Sequence, residues 1–210
     1  MHLFKDSRRE HRRHGKLVIG ITGTHRGAGV THLGLMLTSC ISEGLGLNTA
    51  FLHWADNKDI CFLKDYFLTE EKDMPAEEAF TVSRASFYPV MRKEKVTEIL
   101  AKGNECIIMD FGSSYKEQKE EFLRCDIKIV AGSLTPWKRY LLEEFIADSE
   151  KITGSMDWIY TVNHSSSKER IATEKNFGRN IIIIPYEPDP FFLSPDAMNF
   201  TKNLLTNYCP

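Results

Sequence analysis

"GTHRGAGVTHLGLML", residues 23–37, decides how this chain is read. Its glycines lie between an apolar run, "LVIGI" at 17–21, and a stretch carrying Leu33, Leu35, Met36, Leu37 and Ile41 at helical spacing. Strand, glycine loop, helix is the order that points backbone N–H groups and a helix N-terminus at an anion. One position breaks the pattern: where the loop's positive charge belongs stands Val30.

Outward from the loop, strand and helix patterns alternate without repeats or low-complexity segments. Strands are expected at 48–54, 80–88, 105–112, 126–133, 156–163 and 180–190. Helices are expected at 59–69, 93–103, after 112, from Thr135-Pro136 (threonine as cap, proline in the first turn), near 167–176, and after Ser194-Pro195-Asp196. Residues 70–78 read as an acidic loop. Near-continuous apolar strands alternating with helices imply an α/β domain, a mostly parallel sheet covered on both faces. Ligands in such sheets sit beyond the carboxyl ends of the strands. The glycine loop, Asp56, Asp110, Ser133, Asn163 and the Pro185 loop fall there.

Composition narrows the function classes. The 210 residues are 42% apolar and 27% charged, an ordinary balance for a soluble domain. The longest apolar stretches are strand-sized, and the opening residues lack a basic-then-apolar leader pattern, so the expected setting is cytoplasmic. Five scattered cysteines, none in a Cys-x-x-Cys pair, exclude a zinc or disulfide framework and read as core residues. Residues 1–16 hold Lys5, Arg8, Arg9, Arg12, Arg13 and Lys16 against Asp6 and Glu10, leaving the rest of a chain of net charge −2 acidic. A basic, flexible tail over 1–15 ahead of one domain over 16–210 could meet anionic lipid or nucleic acid, or simply be solvated.

A standard Walker A loop would align Gly29 with its second glycine, Val30 with its lysine and Thr31 with its magnesium-binding hydroxyl; its first glycine falls on Thr24. A Rossmann fingerprint from Gly27 fails at His32. No serine, histidine and acid set has a nucleophile's context.

The stretch resembles the deviant Walker A of MinD/ParA-type P-loop ATPases, Lys-Gly-Gly-Val-Gly-Lys-Thr-Thr. Here it reads His25, Arg26, Gly27, Ala28, Gly29, Val30, Thr31, His32, so both family lysines are gone. "IIMDFG" resembles the Walker B strand, and the resemblance places Asp110 where a carboxylate holds magnesium through water. "FLHWADN" resembles the switch I strand, with Asp56 at its second aspartate and Trp54 in place of its first. "IYTVN" resembles the strand whose closing asparagine, here Asn163, reads adenine, and "IIIIPYEPD" resembles the late strand and Pro185 turn that bracket the base. The implied cofactor is ATP or ADP with magnesium through Thr31 and Asp110. The implied partners are a second copy and a protein partner, with membrane association through partners.

Each residue also has a plain structural reading. Thr31 reads equally as a helix cap, His32 as a packing residue, Asp56, Asp110 and Asn163 as cap or turn residues, and Trp137 and Tyr140 as core or interface aromatics. His53-Trp54 reads as strand filling. Three functions remain open. The first is a degenerate, non-hydrolysing or weakly nucleotide-binding positioning or assembly adaptor, TadZ/CpaE-like, of a pilus or secretion machine. The second is an ATPase in which Arg26 or His25 replaces the lost charge. The third is a membrane- or nucleic-acid-binding adaptor acting through its basic tail.

Overall fold

In the computed structural model, which describes residues 15–68, 75, 77–163, 165–206 and 208, the run beneath the glycine loop is the central strand β1 (Leu17–Gly23). It pairs in parallel with β5 (Cys106–Asp110) on one side and β6 (Ile127–Gly132) on the other. Outward lie β2 (Thr49–His53), β4 (Ala85–Tyr88) and β3 (Phe80–Val82) beyond β5, and β7 (Ile159–Val162) and β8 (Ile181–Ile183) beyond β6. The order is β3-β4-β2-β5-β1-β6-β7-β8, and among the described residues β3–β4 is the one antiparallel pair. Strands β1, β2 and β5 are apolar on both faces because helices cover both, as a parallel sheet requires.

Seven α-helices are found among the described residues. α1 (Val30–Ser39) runs on into a π-helical turn, Cys40–Gly44. Together with α7 (Pro195–Leu205) it packs on one face, where Ile21, Phe51, Ile108 and Ile129 meet Leu33, Met36 and Leu37. Val96 and Ile99 of α3 (Lys93–Ala101), Phe122 of α4 (Lys119–Arg124), and Leu142 and Ile146 of α5 (Arg139–Ser149) pack on the other. α2 (Asp59–Phe67) follows β2, and α6 (Ser167–Phe177) precedes β8. Ser194 caps α7 as expected, its hydroxyl accepting the Ala197 N–H at 3.1 Å. No helix among the described residues is long and apolar enough to cross a membrane.

Three local expectations are corrected. Residues 80–88 form a hairpin, not one strand: Val82 pairs with Ala85, and Ser83 turns the chain with φ 54°. Thr135 does not cap α5. The chain first makes a turn, with Lys138 and Arg139 N–H both donating to the Thr135 carbonyl, and the helix starts at Arg139. The stretch 156–163 opens in a 3-10 turn, Ser155–Asp157, before β7 begins. The four described cysteines are buried and unbridged. The basic tail up to residue 14, Cys209 and most of the acidic loop at 70–78 lie outside the described residues.

Candidate functional site

Between β1 and α1 the loop is shaped by its glycines. Gly27 and Gly29 take φ of 82° and 88°, backbone that disfavours a side chain. A Cβ on Gly29 would also lie 2.7 Å from Asn163 Nδ2, whereas one on Gly27 would meet nothing. The Ala28 N–H donates to the His25 carbonyl at 3.2 Å, and Asn163 Nδ2, at the end of β7, donates to the Ala28 carbonyl at 3.3 Å. The first intrahelical bond runs from Leu33 N–H to the Gly29 carbonyl at 2.9 Å. The N–H groups of Val30, Thr31 and His32 therefore have no backbone acceptor among the described residues, which is the donor array an anion needs.

Side-chain cations contribute little here. Val30 is 6% exposed and packs back toward Gly23, whose missing Cβ gives it room. Arg26 is exposed. Burial, with Lys138 nearby, holds the His25 ring below the usual histidine range, and its Nδ1 lies 2.9 Å from Thr24 Oγ1. His32 Nε2 sits 2.6 Å from the Glu187 carbonyl, tying α1 to the connection that follows Pro185.

On the other side, at the carboxyl ends of β2 and β5, side chains form a closed network. The Thr31 hydroxyl donates to Asp110 Oδ2 at 2.7 Å, and His53 Nδ1 lies 2.9 Å from the same oxygen. The Gly112 N–H donates to Asp110 Oδ1 at 2.8 Å. His53 Nε2 meets Asn57 Oδ1 at 2.9 Å, and that oxygen also accepts the Asp59 N–H at 2.8 Å. His53 and Asp110 are register partners in adjacent strands, and both side chains are fully buried. Burial alone would lower the His53 value, but the bonds to Asp110 and Asn57 outweigh it and raise the value. The loop thus fits an anion, while both Asp110 oxygens already accept hydrogen bonds from protein donors.

Thr31, Asp110 and Asn163 are thereby brought to the loop. Asp56 is exposed in the bend after β2, apart from the cluster, and Pro185 follows β8 on the same sheet edge. Trp54 points away from the site and packs on Phe111 with ring centroids 5.2 Å apart, so the residue facing the loop from β2 is His53. Sequence reasoning treated His53 as strand filling and passed over Asn57 and Lys138. The alternation of β2 carried a signal, because Phe51 and His53 share one face and His53 closes the strand beside Asp110.

No family model matches the sequence, and no curated protein matches it. Solved structures do match in fold. A plasmid partition protein from Borrelia burgdorferi B31 bound to AMPPNP superposes with TM-score 0.65 at 14% identity over 91% of this chain and 97% of its own. A ParA family ATPase from Chlorobium tepidum gives 0.61 at 15% over 92% of each. The MinC:MinD cell division complex of Aquifex aeolicus gives 0.67 at 17% over 92% and 97%. The chain has the fold of the MinD/ParA-type P-loop ATPases.

Proposed function

We propose that this chain, built on the MinD/ParA ATPase fold, is a non-hydrolysing or weakly nucleotide-binding adaptor for positioning or assembly. One observation carries the reading: Val30 is buried against Gly23 where the loop's lysine would stand, while the backbone frame around it is intact. A phosphate in this loop would be met by the backbone N–H groups of Val30, Thr31 and His32, with no lysine at position 30. A charge-assisted hydrogen bond contributes about 1.5–3 kcal/mol, so its loss weakens binding about ten- to a hundredfold. It also removes stabilisation of charge developing in a phosphoryl transfer.

The work of such a protein lies in contacts with other proteins: a second copy, or a separate partner of a pilus or secretion machine. The likeness to a MinD seated on MinC supports a protein partner. The reading in which His25 restores an active ATPase is weakened by the lowered value of that ring. Arg26 keeps its charge but stands in solvent. Titration calorimetry with ATP and ADP, beside a phosphate-release assay, tests the proposal. Weak or undetectable binding without turnover is expected, and Val30→Lys should tighten binding about ten- to a hundredfold. Turnover by the native chain that disappears in Arg26→Ala would overturn it in favour of the re-engineered ATPase.

A further inference from the structure

His32 is the third residue of α1, and its two ends face different parts of the molecule. Its backbone N–H belongs to the donor array that opens the helix and has no backbone acceptor among the described residues. Its half-buried ring reaches the other way, with Nε2 2.6 Å from the carbonyl of Glu187. A carbonyl only accepts, so Nε2 is the donor.

Glu187 lies in the connection between β8 and α7, whose two ends are held separately. The Ile184 N–H extends the sheet ladder, donating to the Val162 carbonyl at 3.0 Å. At the far end Asp189 makes a turn, its carboxylate and carbonyl accepting the Phe191 and Phe192 N–H groups at 2.9 and 3.1 Å. The stretch between has no helix or strand, and Tyr186 within it is 75% exposed. The bond from His32 fixes how that stretch lies against α1.

In the sheet, β2 and β5 lie on one side of β1 and β6, β7 and β8 on the other, so the strand order reverses at β1. The crevice at such a reversal is where an α/β sheet takes its ligand. A phosphate at the N-terminus of α1 leaves the rest of its ligand to extend over the strand ends. Toward β2 and β5, the Thr31, Asp110 and His53 side chains are engaged with one another. Toward β7 and β8, the boundary is Asn163, which donates to the Ala28 carbonyl, and the connection that His32 holds.

We infer that His32 is a positioning residue of the loop site: by tying Glu187 to α1 it sets the connection as a wall for the organic part of a phosphate-bearing ligand. Its own N–H meanwhile serves the phosphate. A wall held in place before the ligand arrives need not be ordered on binding, which spares that part of the cost of association. The inference rests on the anion reading of the loop given above and adds to it a side for the ligand's organic part. Shortening the side chain leaves the N–H in place and releases the wall, so the two contributions are separable.

The test is an NMR titration of the full chain in excess magnesium, read at the Val30–His32 amides, with pyrophosphate and with ADP. His32→Ala should weaken ADP about three- to tenfold, the worth of one neutral hydrogen bond, and leave pyrophosphate within about twofold. His32→Gln, which can still donate to the Glu187 carbonyl, should recover most of the ADP loss. Chymotrypsin gives a reading that needs no ligand: cleavage after Tyr186 should be faster in His32→Ala than in the native chain or His32→Gln. Should His32→Ala fail to fold, His32→Leu, which keeps bulk without the donor, takes its place with the same expectations. Equal losses for both ligands, an unmoved ADP affinity or unchanged cleavage at Tyr186 each overturn the positioning role alone. A native chain that binds neither ligand overturns the anion reading of the loop and the positioning role with it.

Discussion

On the loop side of the site, shape comes from the backbone. Two left-handed glycines, a turn closed by Ala28 and the first turn of α1 set the path, and no lysine stands at position 30 to reinforce it. On the strand side, shape comes from side chains: Thr31, Asp110, His53 and Asn57 satisfy one another in a chain of hydrogen bonds whose His53–Asp110 link is buried. The loop keeps its frame without its charges because a backbone path depends on torsion angles, which Val30 and His25 leave alone. The strand side has the opposite dependence, since the buried His53 and Asp110 and the half-buried Thr31 and Asn57 are linked through their side chains.

That contrast can be broken most forcefully at Asp110. Asp110→Ala would leave the buried His53 ring without its carboxylate and the half-buried Thr31 hydroxyl without its acceptor, and urea unfolding should show a loss of about 3–5 kcal/mol. Asp110→Asn, which keeps an acceptor oxygen, should lose less. Next in size is Gly29→Ala. The left-handed conformation costs about 1–2 kcal/mol for a residue with a Cβ, and the 2.7 Å approach of Asn163 Nδ2 adds to it. Gly27→Ala has the same torsional cost and open space, so it should cost less. Asn163→Ala should recover part of the Gly29→Ala loss and none of the Gly27→Ala loss, a cycle that separates contact from torsion.

A smaller effect should appear in pH. The folded His53 value is raised above its ordinary value of about 6.5. Its stabilisation is therefore fully present below that ordinary value and fades as pH rises through the folded one. Thermal melts should show the native chain losing stability as pH rises above the ordinary histidine value of about 6.5, with His53→Gln flat over the same range. An equal slope in both would remove His53 as the cause. Smallest of all is Arg26→Ala, which should change stability by no more than about 0.5 kcal/mol, as for other exposed side chains.

The fold was legible because β1, β5 and β6 announce themselves as apolar runs and Gly27 and Gly29 mark the loop that follows β1. Sequence also placed Thr31, Asp110 and Asn163 at the right strand and helix ends. The role of His53 was not legible, since it depends on which strand lies beside β2: His53 meets Asp110 only through a register between residues 57 positions apart. The β3–β4 hairpin was hidden for a local reason. Its turn is Ser83-Arg84, with neither the glycine nor the asparagine that usually signals left-handed backbone. Likewise, Thr135-Pro136 is good capping chemistry used by a turn instead, which delays α5 to Arg139.

Both margins of the eight-stranded sheet end in strands of three residues, β3 and β8. A neighbour adding its own strand at either margin would find a ladder too short to hold it, and growth by strand addition is discouraged at both ends. Any higher assembly of this protein is thus steered away from open-ended fibres along the sheet and toward closed contacts made by helices and loops.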